Sequence, residues 1–300
     1  MENKKILITG GAGFIGSNLV KTLQEKYPNN KYYIVDNFSS GNADNLSGFK
    51  GEIICANIAE IDISKHFGKL DIIFHQAAIT DTTVFDEEKM MFNNVVGFIN
   101  VLNFAKICGA KLIYASSAAT YGHSMPPMIV GKNEVPANIY GVSKLEADKI
   151  ARENFSNLPI IGLRYFNVYG PGEKFKGKMA SMIWQLYLQM KEGKRPKIFK
   201  YGEQKRDQVY IKDVVMANML AMECQKSGIF NIGAGKATSF NQIIENLNKV
   251  LKTNLEPEYI DNPYQHYQEN TEADLTETRE FLGYYPEYDI KKGIEDYFKL

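Results

Sequence analysis

Short runs of β-branched and aliphatic residues alternate along the first half of the chain with longer segments of helical spacing. KILIT (5–9), YYIVD (32–36), EIIC (52–55), DIIF (71–74), KLIYA (111–115) and PIIGL (159–163) predict buried strands. Between them, residues 15–26, 88–108 and 143–154 repeat apolar positions every three to four residues and predict helices. Strand followed by helix, repeated, implies right-handed crossovers and an α/β fold with a doubly wound parallel sheet. In that architecture ligands bind beyond the carboxyl ends of the strands. After Phe166 the pattern loosens. Residues 167–179 (NVYGPGEKFKGKM) read as a loop, 180–192 and 239–251 as helices, and 197–199 as a short extended segment. IFNIG (229–233) reads as a return to the sheet. The expected division is therefore 1–166 as the main domain, its sheet completed by segments near 208–233, with 167–300 mainly a smaller C-terminal lobe.

Composition narrows the function classes. With 44% hydrophobic and 23% charged residues, a sizeable core is available. Lys plus Arg equals Asp plus Glu at 35 each, so no basic field points to nucleic acid or a membrane surface. The three cysteines, Cys55, Cys108 and Cys224, lie far apart without metal-ligand spacing, so no metal site is expected. Cys55 and Cys108 read as core fillers, and the odd, unpaired count suits a reducing compartment. The N-terminus runs from MENKK straight into ILITGG, leaving no room for a signal-peptide core. No apolar stretch reaches the roughly 18 residues that read as a membrane helix. A soluble cytoplasmic protein is expected.

The first loop carries chemistry. Thr9-Gly-Gly-Ala-Gly-Phe-Ile-Gly16 follows a strand and opens a helix. Gly10 permits the tight turn, Gly13 lets backbone approach a pyrophosphate, and Gly16 allows close helix–strand packing. The helix N-terminus offers free N–H groups to the anion. Asp36 follows Gly16 by 20 residues at the end of the next strand, where it can accept hydrogen bonds from ribose hydroxyls. This is the Rossmann pattern of a dinucleotide site. Asn37-Phe-Ser-Ser-Gly41 carries no Lys or Arg for a 2′-phosphate, so of NAD and NADP the former is favoured.

Tyr140-Gly-Val-Ser-Lys144 places a phenol and an ammonium four residues apart on one face of a starting helix. The positive charge predicts a tyrosine pKa lowered towards working pH. Ala115-Ser-Ser-Ala-Ala-Thr-Tyr-Gly122, directly after the fifth strand, sets a serine hydroxyl at the carboxyl edge of the sheet. Such a YxxxK pair alone is more often a solvated helix face. Glycine loop, serine and YxxxK together point to acid–base chemistry beside a dinucleotide.

These motifs together resemble the extended short-chain dehydrogenase/reductases, and the resemblance spans nearly the whole chain. It implies that Ser117 is the catalytic serine with Ser116 beside it, that Tyr140 is the acid/base, and that Lys144 binds the nicotinamide ribose. It also implies a cofactor channel lined by Phe14, Ile15, Asn37, Asn57, Ile58, the His75-Gln76-Ala77-Ala78 segment and Asn94. His75 reads equally as a strand-end core residue. Dehydratases of the family resemble Thr-Asp-Glu where this chain has Ser117-Ala118-Ala119, so water elimination is not expected.

Arg164-Tyr-Phe-Asn-Val-Tyr-Gly-Pro171, Lys176-Gly-Lys-Met-Ala-Ser181, Lys205-Arg-Asp-Gln-Val-Tyr-Ile-Lys-Asp213, Tyr267-Gln268 and Ala273-Asp-Leu275 look like the ADP-L-glycero-D-manno-heptose 6-epimerases. That subgroup implies a nucleotide-sugar substrate, a homo-oligomer, and a second base at Lys176. Without it, Lys176 would read as a solvated loop lysine. Arg206, whose guanidinium suits bidentate phosphate contact, is the candidate for the substrate diphosphate. Asn167, Ser181, Tyr267 and Gln268 are further candidate substrate contacts. The chain departs from the subgroup at Gly172 and Phe175, where Arg and His are usual. The alternatives are another nucleotide-sugar 4-epimerase or ketoreductase of the same family, and a non-catalytic binder on the same fold.

Overall fold

The computed structural model describes residues 1–83, 86–261 and 269–299. Its strands are β1 (Lys5–Thr9), β2 (Lys31–Asp36), β3 (Glu52–Cys55), β4 (Ile72–His75), β5 (Lys111–Ser117), β6 (Ile160–Tyr165), β7 (Asn167–Tyr169), β8 (Lys197–Phe199), β9 (Lys205–Tyr210), β10 (Gly228–Ile232), β11 (Ala237–Ser239) and β12 (Glu258–Ile260). Helices α1 (Phe14–Lys26), α2 (Ile63–His66), α3 (Glu87–Met91), α4 (Gly97–Cys108) and α5 (Ile139–Glu153) fall among the first six strands. Helices α6 (Met182–Lys191), α7 (Ile211–Glu223), α8 (Phe240–Leu251), α9 (Thr276–Leu282) and α10 (Ile290–Tyr297) follow.

The central sheet is wholly parallel, in the order β3-β2-β1-β4-β5-β6-β10. The chain direction of winding reverses between β1 and β4, and the crevice that opens there is where such a sheet binds a dinucleotide. Alternation along the strands builds two cores. Ile6, Ile8, Ile72, Phe74 and Ile113 face α1, α7 and the C-terminal segments. Leu7, Ile73, Leu112 and Tyr114 face α4 and α5. The expected return at 229–233 is β10, which extends the sheet beyond β6. The segment near 208 joins a different sheet, because β9 pairs with β7 and β11 rather than with β10.

Three expectations need correction. EIIC is a strand but not a buried one: β3 is the sheet edge, Ile53 is exposed, and so is Cys55, which fills no core space. Residues 167–179 are not an irregular loop throughout, since they hold β7 and a 3-10 segment, Glu173–Met179. A continuous helix does run from Glu87 to Cys108, and its 22 residues are long and apolar enough to cross a bilayer. Here it packs on the sheet through Phe98, Val101, Leu102 and Ala105. At its centre, Phe92–Val96 widens to a π-helix, a local loosening often found beside functional sites.

Beneath the site lies a buried ionic cluster. Arg164, on β6 and fully buried, donates to Asp148 Oδ2 from Nε and Nη2 at 2.8 and 2.6 Å. Its Nη1 lies 2.6 Å from Glu134, and its guanidinium stacks over the Tyr121 ring at 4.9 Å. Tyr114 donates to the other Asp148 oxygen at 2.7 Å. Asp148→Ala leaves this guanidinium short of its main partner, and breaking a buried pair costs about 3–5 kcal/mol. Urea unfolding is expected to show that loss. A midpoint within experimental error of the unsubstituted protein would mean that Glu134 alone satisfies Arg164.

Candidate active site

The glycine loop is built against β2 and the end of β4. Gly10 has φ +69°, and a Cβ there would lie 2.6 Å from the Ala77 amide nitrogen. A Cβ on Gly16 would lie 2.1 Å from the Gly10 carbonyl oxygen, so this glycine lets α1 pack on the turn that precedes it. Gly13 is the N-cap of α1, and no side chain caps the helix. Its first-turn N–H groups are therefore available to an anion, as a bound pyrophosphate requires. This cradle fits a dinucleotide.

Asp36 does more than wait for a ribose. Its carboxylate accepts the Ala12 N–H at 2.8 Å on one oxygen and the Phe38 N–H at 2.8 Å on the other. The loop is thus tied to the strand end, and each oxygen retains capacity for a further donor. Asn37 is exposed and turns its own side chain onto Ser39. Asn57 caps the Ala59 N–H and bonds Asn93, while Ile58 is buried under Gly97. Asn94, in the π-helix, bonds both Ile79 backbone groups and Ser143 on α5. It joins the β4 loop to the helix of the YxxxK pair and stands behind the cavity wall. His75 is buried, hydrogen-bonded to Thr9 Oγ1 at 2.8 Å, and burial together with the Lys144 charge pushes it down to about 3. A neutral core histidine is what the structure holds.

A cavity of about 370 Å³ opens at the carboxyl ends of β5 and β6. It brings together Ser116, Ser117, Tyr140, Lys144, Asn167, Lys176, Ser181 and Arg206, with Phe14, Ile15, Gln76 and Ala78 on the side of the glycine loop. Residues separated by more than a hundred positions meet here because β5 and β6 end, and β7 and β9 begin, beside one cavity. Tyr267 and Gln268 lie outside the described residues. Among the described residues no group of three His, Cys, Asp or Glu is placed to hold a metal.

Asn138 caps α5 by accepting the Gly141 N–H at 2.8 Å, which starts the helix just before Tyr140. Lys144, 5% exposed, donates from Nζ to the Ala115 carbonyl at 2.9 Å and lies 5.9 Å from the Tyr140 ring centroid. Burial pulls its ammonium down to about 8, opposed by Asp148 one turn further along α5. The expected lowering of Tyr140 is not found. Burial pushes its phenol up, and a hydrogen bond with Ser117 pulls it only part of the way back. Desolvation of a phenolate in this wall outweighs the Ser117 hydrogen bond, while the Lys144 ammonium is engaged by the Ala115 carbonyl. Ser117 accepts the Ala119 N–H at 3.1 Å, and the buried Ser116 Oγ has no partner among the described residues.

Lys176 is half-buried, with Nζ 5.5 Å from the Phe14 ring centroid. Burial lowers its pKa, and the Glu173 carboxylate opposes the fall. Glu173, a residue missed by the motif reading, is fully buried. It accepts the Gly170 N–H at 2.9 Å, the Ser181 N–H at 2.5 Å and the Ser181 hydroxyl at 3.0 Å. Ser181 also caps α6 through the Trp184 N–H at 3.2 Å, so its hydroxyl is engaged in holding the loop. Every one of these partners donates to Glu173. Glu173→Gln would turn an N–H₂ group onto donors, and a loss of about 1–3 kcal/mol is expected in thermal unfolding. An unchanged midpoint would show that the loop is held without this carboxylate. Arg206 is nearly buried, donating to the Lys205 and Glu269 carbonyls at 3.0 and 2.7 Å while lining the cavity.

Residues 6–233 match the NAD dependent epimerase/dehydratase family. The structure is similar to ADP-L-glycero-D-manno-heptose-6-epimerase from Helicobacter pylori, at 45% identity and a TM-score of 0.94, covering 99% of this chain and 96% of that one. It is also similar to UDP-glucose 4-epimerase with UDP-glucose from Thermotoga maritima, at 30% identity and 0.90, covering 98% and 97%. A mutant UDP-glucuronic acid 4-epimerase from Bacillus cereus, in complex with UDP-4-deoxy-4-fluoro-glucuronic acid and NAD, aligns at 27% identity and 0.89 over 98% of each chain. With a dinucleotide cradle and a Ser/Tyr/Lys cavity at the sheet edge, this chain belongs to the NAD dependent epimerase/dehydratase family.

Proposed function

We propose that the protein interconverts ADP-D-glycero-D-manno-heptose and ADP-L-glycero-D-manno-heptose at C6″, with NAD kept bound. The observation that carries this reading is that a phenol and an amine line one cavity from separate elements, Tyr140 from α5 and Lys176 from the 173–179 segment. An exocyclic carbinol presents its hydroxyl in different directions in its two epimers, so one base per epimer is chemically apt. The 45% identity to a heptose 6-epimerase over nearly the full chain supports the same substrate.

Gly10, Gly13, Gly16 and Asp36, with Phe14 and Ile15, would hold the cofactor, and Lys144 its nicotinamide ribose. NAD, when bound, supplies reversible hydride exchange with a carbinol carbon. The protein's own groups move the proton. Lys176, with its pKa drawn down by burial, takes the hydroxyl proton of one epimer as the carbinol becomes a ketone. Tyr140, held as the neutral phenol by burial, gives its proton to the ketone oxygen once the exocyclic group has turned. The turnover leaves Lys176 protonated and Tyr140 as phenolate, which is the state that runs the reverse direction with the two roles exchanged. A further turnover in the same direction requires Lys176 to give a proton to solvent and Tyr140 to regain one from it. Ser117 hydrogen-bonds the substrate oxygen beside Tyr140, and Arg206 grips the diphosphate, with Asn167, Ser116 and Ser181 lining the sugar pocket.

On this reading residues 1–166 mainly bind the cofactor and 167–300 mainly the substrate. A reducing, cytoplasmic setting fits the three free cysteines, and a homo-oligomer belongs to the same reading through the resemblance to the heptose epimerases. The test is incubation of the purified protein with one C6″ epimer, without added reductant, and NMR of the epimer ratio. Both epimers are expected to converge on one mixture. An NAD-loaded protein that leaves either epimer untouched overturns the assignment.

A further inference from the structure

We propose that Gln208 is a specificity residue whose side-chain amide hydrogen-bonds a hydroxyl of the substrate's sugar; the inference rests on the substrate placement given above. Residues of a strand alternate between faces. On β9, Asp207 turns away from the cavity, its carboxylate accepting the Ala234, Gly235 and Ala273 N–H groups at 2.6, 3.0 and 3.0 Å. Arg206 and Gln208 therefore share the other face, and both line the cavity. Gln208 also stands in register with Asn167 on β7, a third lining residue.

Gln208 is 5% exposed, and its Oε1 has no hydrogen-bond partner among the described residues. Buried polar atoms are nearly always paired, and an orphan in a cavity wall calls for a ligand group to satisfy it. Ser116 Oγ, in the wall of the same cavity, is in the same condition. Gln208 is in register with Asn167, two residues beyond the Tyr165 that pairs with Ser117, and Arg206 lies two residues before it on β9. A substrate held at Ser117 and at Arg206 would therefore pass Gln208 with the part between reacting carbon and diphosphate. In a nucleotide sugar that part is the sugar ring, which presents hydroxyl donors to an amide oxygen. A site that hydrogen-bonds a hydroxyl rejects analogues that lack it.

The test compares Gln208→Leu with the unsubstituted residue, both in NAD-loaded Tyr140→Phe protein, whose slowed turnover lets binding be measured on the equilibrium mixture of the two epimers. Calorimetric titration with ADP-heptose is expected to show an affinity about tenfold weaker in the Leu variant, the loss of one buried hydrogen bond. Titration with ADP is expected to give the same affinity in both. Removing an unpaired amide should leave the melting temperature unchanged or raised; if Leu lowers it steeply, Gln208→Met replaces it at equal length. Unchanged ADP-heptose affinity overturns the proposal, and so does an equal loss for ADP. Epimerisation by the protein with Tyr140 intact is scored separately. Selective weakening without epimerisation would sink the function and keep Gln208, normal epimerisation with unchanged affinity would do the opposite, and absence of any ADP-heptose binding would sink both.

Discussion

Tyr140→Phe is expected to lower turnover by about 10²- to 10⁴-fold, the contribution of one positioned acid–base group, while NAD remains bound. Phenylalanine keeps the ring and its volume and removes only the oxygen. Ser117 still accepts the Ala119 N–H, and Lys144 still donates to the Ala115 carbonyl, so neither end of the site is released. The cradle at Gly10 and Gly16 is formed by β1, α1 and the β4 end, whereas the phenol is hydrogen-bonded to Ser117 on β5. Epimer ratios over time and the NAD content of the purified variant are the two measurements. Turnover kept within a few fold would remove Tyr140 from the chemistry. Loss of NAD together with turnover would make it a structural support for the cofactor instead.

On the proposed mechanism, Lys176→Met is expected to cost a comparable factor for C6″ epimerisation, because it removes the amine that lies over the Phe14 ring and keeps an unbranched side chain in its place. The pH dependence carries the sign. A lysine acting as base works in its neutral form, so the limb of kcat/KM that reports it rises with pH through the Lys176 pKa, which burial has brought below its ordinary value. That limb should vanish in the Met variant. Little change in rate would favour a 4-epimerase that works through Tyr140 alone, with Lys176 only lining the pocket. Glu173 bears on the same profile, since its charge opposes the lowering of Lys176.

Much of the frame was readable from local pattern. KILIT, YYIVD and KLIYA became β1, β2 and β5 because aliphatic and β-branched runs of that length suit a parallel strand covered on both faces. EIIC misled because a sheet edge and a sheet centre use the same residues; only the place in the strand order exposes Ile53 and Cys55. The YxxxK pair was visible because its four-residue spacing is a property of one helix. Its electrostatics were not. The sign of the Tyr140 shift is set by burial acting against a hydrogen bond with Ser117, and both are decided by how α5 packs on the end of β5.

What the sequence determined by itself was short-range: strand and helix periods, the glycine turn with its anion-binding helix start, and the acid–base residue types in order. These depend on backbone sterics and on a period of two or 3.6, which operate within a dozen residues. The tertiary structure alone decided which distant residues share a wall. It put Lys176, Gln208 and Ser116 on the same cavity as Tyr140, set Asp148 against Arg164, and gave the Ser181 hydroxyl to Glu173. Hydrogen bonds and desolvation act over a few ångströms of space, whatever the separation along the chain, so their outcome is settled only when the strand ends have come together.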